Sequence, residues 1–175
     1  MNINAIALDL DGTVLDANSK ISNELVELLS TLRSKGMKIF IATGRTKIEV
    51  ADALPKEVQV DGLVTANGMV CHINGRKIAS HSLNPELVSK VVAKARENKI
   101  YYEVHPHEER RFALKIDKDY IINEVSGEKP MTLHDNEYNS RIAAVHHDLR
   151  WLEELDAEDI VKVYFFSMDV NKIKD

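Results

Sequence analysis

The chain holds one cysteine, Cys71, in 175 residues. No intrachain disulfide can form, and a reducing compartment suits such a chain best. Its four prolines and seven glycines are scattered, and no internal repeat or low-complexity linker is present. No apolar run approaches the ~20 residues that cross a bilayer. Met1-Asn2-Ile3-Asn4 lacks the basic start and apolar stretch of a secretion signal. The expected setting is cytoplasmic, with no membrane partner. A basic excess is missing too: 23 Lys and Arg stand against 28 Asp and Glu, a net charge of −5. That balance argues against nucleic acid as a partner. It leaves a small phosphorylated molecule open, because one local site binds such a ligand whatever the global charge.

What is present is a globular composition, 44% hydrophobic and 29% charged, in a length that suits one ordinary domain or two small ones. The first half alternates strand and helix signals. Ile3 to Leu10 is short, apolar and β-compatible, and ends at an acidic turn. Ser22 is placed to cap a helix carrying Leu25, Leu28, Leu29 and Leu32, with Gly36 as its stop. Met37 to Ala42 forms a second strand, Thr46 and Glu49 a capping box for a helix ended by Pro55, and Gly62 to Ala66 a third strand. This order predicts a parallel sheet with right-handed crossovers, whose chemistry sits at the carboxyl ends of the strands.

After Ala66 the pattern changes. Asn67-Gly68 and Asn74-Gly75 are hairpin turn signals around Met69 to Ile73. Asn84-Pro85 opens a helix with an apolar stripe of Leu87, Val88, Val91, Val92 and Ala95. Strands are expected at Ile100 to Val104, Arg111 to Ile116, Arg141 to Val145 and Val161 to Met168. Short helices are expected near Tyr120 and over Leu149 to Leu155. The second half thus reads as a separate α+β module.

Asp9-Leu10-Asp11-Gly12-Thr13 closes the first strand. Strand alternation would put Asp9 and Asp11 on one side and Leu10 in the core. Two neighbouring carboxylates repel, and a divalent cation relieves the repulsion. Oxygen ligands of this kind suit magnesium, which often binds through one or two carboxylates plus substrate phosphate. Asp, Gly and Thr are also ordinary turn residues, so the five alone do not decide the matter. A calcium-binding EF-hand loop fails, because Val14 and Lys20 occupy the positions where it needs glycine and glutamate. Thr43-Gly44-Arg45, directly after the second strand, supplies a hydroxyl and N–H groups where a phosphate could be held. Adjacent parallel strands would bring Thr43 beside Asp9.

Together these segments resemble the haloacid dehalogenase superfamily. Asp9-Leu10-Asp11-Gly12-Thr13 is similar to its first motif and Ala42-Thr43-Gly44-Arg45 to its second. Asn67-Gly68 and the strand Lys162 to Ser167 resemble its Cof-like subfamily, which has a large α/β cap (class IIB). The resemblance implies a Rossmann-like parallel core over residues 1–82 and an α/β cap over 83–175. It implies a magnesium-dependent phosphohydrolase of small phosphorylated metabolites, such as phosphosugars or a flavin- or pyridoxal-type phosphate. Asp9 would be the nucleophile and Asp11 the general acid and base. Asp9 and the Asp11 carbonyl would hold Mg2+, Thr43 and the Gly44 N–H a transferring oxygen, and Arg45 and Asn67 the mouth of the site.

The family's third motif, a lysine, and its fourth, an acidic pair, have no match. Lys172 and Lys174 stand in the wrong context and Asp169 is isolated. The chain is therefore expected to be truncated after the cap. Its first strand should then have a free edge, open to self-association. The competing reading is a degenerate relative that binds metal or a partner without turnover.

Elsewhere, bland readings are expected. His105, His107, His146 and His147 match no zinc spacing and should mostly be solvent-facing or loop residues of the second module. Glu108 to Arg111 should be a solvated charged turn. Tyr101 and Tyr102 should pack the second module, and Cys71 should be a small core residue.

Overall fold

A computed structural model describes residues 3–16, 18–169 and 172; Lys174 lies outside them. The chain forms two compact units, one up to His81 and one from Ser82 on. Among the described residues, no helix is long and apolar enough to cross a membrane.

The first unit is α/β with a parallel-containing, Rossmann-type sheet. Its elements are β1 (Ala5–Leu8), α1 (Asn23–Ser34), β2 (Lys38–Ala42), α2 (Lys47–Ala53), β3 (Gly62–Thr65), β4 (Val70–Ile73) and β5 (Arg76–Ser80). They form one sheet in the order β1-β2-β3-β4-β5. β1, β2 and β3 are parallel, while β4 and β5 return antiparallel. Local signals explain the boundaries. The Ser22 hydroxyl accepts from the Leu25 N–H to start α1, and Thr46 and Glu49 close a reciprocal capping box on α2. Asn74 and Gly75 both take positive φ, which suits the tight turn from β4 into β5. At Gly62 a Cβ would lie 2.6 Å from the Phe40 ring and 2.9 Å from Ile73 Cδ1, so close packing across β2, β3 and β4 requires glycine.

The core of this unit gathers Leu10, Val14, Leu15, Ile41 and Val50. Three of these come from the acidic turn and the residues just after it, so the site loop is anchored by its own apolar side chains. β1 is an outer strand, paired only with β2 among the described residues.

The second unit holds α3 (Pro85–Glu97), β6 (Tyr101–Pro106), β7 (Phe112–Leu114), α4 (Lys118–Val125), α5 (Asp135–Ala143), β8 (Arg150–Leu152) and β9 (Ile160–Phe166). Its sheet runs β8-β7-β6-β9; β6 is antiparallel to β7 and β9, and β7 is parallel to β8. Asn84 caps α3 with Pro85 in its first turn.

Two expectations are corrected here. Arg141 to Val145 is not a strand: it ends α5 and enters a π-type turn over Ala144–Asp148. Leu149 to Leu155 is not a helix, because Arg150–Leu152 forms β8 against Phe112–Leu114. Both are short segments that mix apolar and charged residues, too short for their period to separate helix from strand. Asp135 and Glu137 in the first turn and Arg141 in the last favour α5 through the helix dipole. β7 supplies the neighbour that draws Trp151 and Leu152 into a strand.

A buried charge cluster corrects two more. His105 does not face solvent: it is buried, and its Nε2 lies 3.1 Å from Glu103 Oε2. Arg111 leaves the solvated turn to donate to Glu103 at 2.9 Å and to Asp148 at 3.2 Å. Arg141 donates to the other Glu103 oxygen at 2.5 Å, beside the Tyr101 hydroxyl. Burial alone would push the Glu103 carboxyl up. The His105 contact and the two guanidinium groups outweigh it and hold Glu103 well below the ordinary carboxylate range. Burial pushes the Tyr101 phenol up, and the adjacent Glu103 charge pushes it further. Tyr101 and Tyr102 are fully buried, the latter donating to Asp117 at 2.7 Å and accepting from the Leu114 N–H at 3.1 Å. Cys71 is half-buried in β4.

Candidate active site

The acidic turn lies just past β1, which ends at Leu8. The side chains of Asp9 and Asp11 are therefore set by a turn and not by strand alternation, which corrects the reason expected for their placement. The N–H groups of Thr13, Val14 and Leu15 all donate to the Leu10 carbonyl, at 3.3, 3.0 and 2.8 Å. Leu10 itself is fully buried, while Asp9 and Asp11 are exposed. Gly12 takes φ +75°, a conformation that favours glycine, and so lets the chain turn back at this point.

β1 and β2 are parallel with Leu8 opposite Ile41. That register brings Asp9 level with Ala42, one residue short of Thr43. Thr43 is buried, and its N–H donates to the Val64 carbonyl at 2.9 Å. Its hydroxyl oxygen accepts from the Arg45 N–H at 3.2 Å, which leaves its own O–H hydrogen to donate.

The loop after β3 is stitched to the same turn. Ala66 N–H donates to the Arg45 carbonyl at 2.8 Å, and Asn67 N–H to the Thr43 carbonyl at 3.2 Å. Ala66 and Asn67 both have positive φ, 50° and 57°. The Asn67 amide lies directly over Gly44, where a Cβ would meet its Oδ1 at 2.8 Å. The loops after three parallel strands thus meet at one end of the sheet, where open α/β sheets bind ligands.

The residue pattern gave no sign of one contact. Arg45 grips Asp11 with two bonds, Nε to Oδ2 at 3.0 Å and Nη2 to Oδ1 at 2.6 Å. A guanidinium three residues past the end of β2, facing an acidic turn that follows the neighbouring strand, is the signal that could have suggested it.

Among the described residues no group of three or more His, Cys, Asp or Glu side chains is arranged to hold a metal. The donors at the turn are the Asp9 carboxylate and main-chain carbonyls, with the Asp11 carboxylate engaged by Arg45. Such an all-oxygen, partial set fits a magnesium ion that draws its other ligands from water and phosphate.

Residues 6–175 match the description haloacid dehalogenase-like hydrolase. The chain belongs to that family. Over 101 residues it is 35% identical to the 5-amino-6-(5-phospho-D-ribitylamino)uracil phosphatase YwtE of Bacillus subtilis, a match covering 57% of this chain and 35% of that protein. A haloacid dehalogenase-like hydrolase from B. subtilis has the same fold, with TM-score 0.73 and 19% identity, over 97% of this chain and 64% of that one. A HAD subclass IIB sugar phosphatase aligns with TM-score 0.51 and 26% identity, over 66% of this chain and 46% of that one. The chain thus spans less than two thirds of the length of each of these proteins.

Proposed function

We propose that this chain carries the nucleophile half of a magnesium-dependent phosphohydrolase acting on small phosphorylated metabolites, with residues 1–82 as its core part and 83–175 as its cap. The observation behind this reading is the meeting of Asp9 and Asp11 with Thr43, Gly44, Arg45 and Asn67 at the carboxyl ends of β1, β2 and β3. The YwtE and sugar phosphatase relatives favour a phosphorylated sugar or a ribityl-type phosphate as the substrate class.

In this mechanism the Asp9 carboxylate attacks phosphorus, and the bond to the leaving alcohol oxygen breaks. An aspartyl-phosphate forms on Asp9. Asp11 gives a proton to the departing alkoxide, then takes one from the water that attacks the aspartyl-phosphate and releases inorganic phosphate. The Thr43 O–H and the Gly44 N–H donate to an equatorial phosphoryl oxygen, whose charge they stabilise in the transition state. Arg45 and Asn67 line the mouth. Asp9 and the Asp11 carbonyl would hold magnesium, which when bound would supply positive charge against the mutual repulsion of carboxylate and phosphate.

Release of inorganic phosphate from a panel of phosphosugars, ribityl phosphates and p-nitrophenyl phosphate tests this reading. Turnover that needs magnesium and stops with EDTA supports it; binding of metal or substrate without turnover would favour the non-catalytic alternative.

A further inference from the structure

Both oxygens of Asp11 are taken up by the fork of Arg45. Resting on the proposed phosphohydrolase reading, we infer that Arg45 is a positioning residue with two alternative anionic partners. Asp11 and the phosphoryl group of the substrate compete for it, so that phosphate binding draws the fork away and frees the Asp11 carboxyl for the leaving group.

The roots of both side chains are fixed, so the exchange needs only side-chain motion. The Arg45 N–H is bonded to Thr43 Oγ1 at 3.2 Å and its carbonyl accepts from Ala66 at 2.8 Å. Asp11 is held by the turn that closes on the Leu10 carbonyl. The pair itself is open to water: the Asp11 side chain is 57% exposed and that of Arg45 24%. Ion pairs with one partner this exposed are weak and easily exchanged. A phosphate dianion carries more charge than a carboxylate, and its oxygens suit the same two-point grip.

The exchange also has a chemical purpose. A carboxylate whose two oxygens are both engaged by a guanidinium cannot turn an oxygen toward a leaving alcohol. Tying its release to phosphate occupancy would keep Asp11 parked as a carboxylate until substrate is bound; the freed carboxylate then takes a proton from solvent water and passes it to the departing alkoxide oxygen. Arg45 acts here through Asp11 and the phosphate, and it exchanges no proton itself.

The test is a double-mutant cycle on the whole chain, with inorganic phosphate as the probe and calorimetry in magnesium buffer as the readout. Asp11→Asn removes the competitor for Arg45 and also one negative charge near the phosphate. Arg45→Gln isolates that second, purely electrostatic effect. If the partners compete, Asp11→Asn tightens phosphate binding about threefold more in the Arg45 background than in the Arg45→Gln background. Arg45→Lys, which keeps the charge but loses the fork, should fall between them, and thermal midpoints check that every variant is folded. An equal effect of Asp11→Asn in all three backgrounds overturns the exchange and leaves the phosphohydrolase reading standing. A wild-type chain that binds no phosphate at millimolar concentration overturns that reading, and the exchange with it.

Discussion

The Asn67 side-chain oxygen packs over Gly44 so closely that a Cβ on residue 44 would lie 2.8 Å from it. The clash would fall on the far end of a movable amide and not on backbone. Gly44→Ala should therefore cost little stability, within about 0.5 kcal/mol, while pushing Asn67 out of place. The expected outcome is an unchanged thermal midpoint with several-fold weaker binding of inorganic phosphate. A variant that loses fold and binding together would show that Gly44 matters for packing alone.

Glu103 is the anion between Arg111 and Arg141 in a buried site. Glu103→Gln keeps the shape but removes the buried negative charge that Arg111 and Arg141 share, while Arg111 keeps its contact with Asp148. Breaking a buried pair in this way costs about 3–5 kcal/mol, and urea unfolding would show it as a lower midpoint. A change below about 1 kcal/mol would mean that water reaches the cluster and screens it.

Asp61 accepts from the Ile39 N–H at 3.0 Å and meets Arg33 at 3.2 Å and Lys38 at 3.3 Å. The Ile39 bond first, then Arg33, lower its pKa from 3.8 to about 2. Because the folded value lies below the unfolded one, the stabilisation is complete above the unfolded value and is lost as pH falls through the folded one. Wild-type stability should therefore drop more steeply than that of Asp61→Asn between 3.8 and about 2. Denaturant titrations across that window decide it; parallel profiles would contradict the assignment.

β1 is the outer strand of its sheet and pairs only with β2 among the described residues. A bare edge favours pairing with another chain, so sedimentation at micromolar concentration should reveal a dimer or larger species that dissociates on dilution. A compact monomer at every concentration would rule this out.

Much of this molecule can be read from residues whose effect is local. Thr46 with Glu49, Ser22, Asn84-Pro85 and Asn74-Gly75 act within a few residues of themselves, and each produced the cap or turn its chemistry requires. The grouping of the proposed site residues was legible for a related reason: they lie at strand ends, where the alternation of strand and helix decides which loops meet. The failures involve partners distant in sequence. Nothing near Trp151 says that Ala113 will pair with it, and nothing near Glu103 announces Arg141. The grip of Arg45 on Asp11 joins residues 34 apart and depends on a register that only the folded sheet fixes.

The most direct measurement is phosphate release from p-nitrophenyl phosphate in magnesium buffer, comparing the wild-type chain with Asp9→Asn. An amide cannot attack phosphorus, so the variant should lose roughly a thousandfold or more in rate while keeping its thermal midpoint. Release by Asp9→Asn within a factor of about two of the wild type would contradict the assignment of Asp9 as nucleophile.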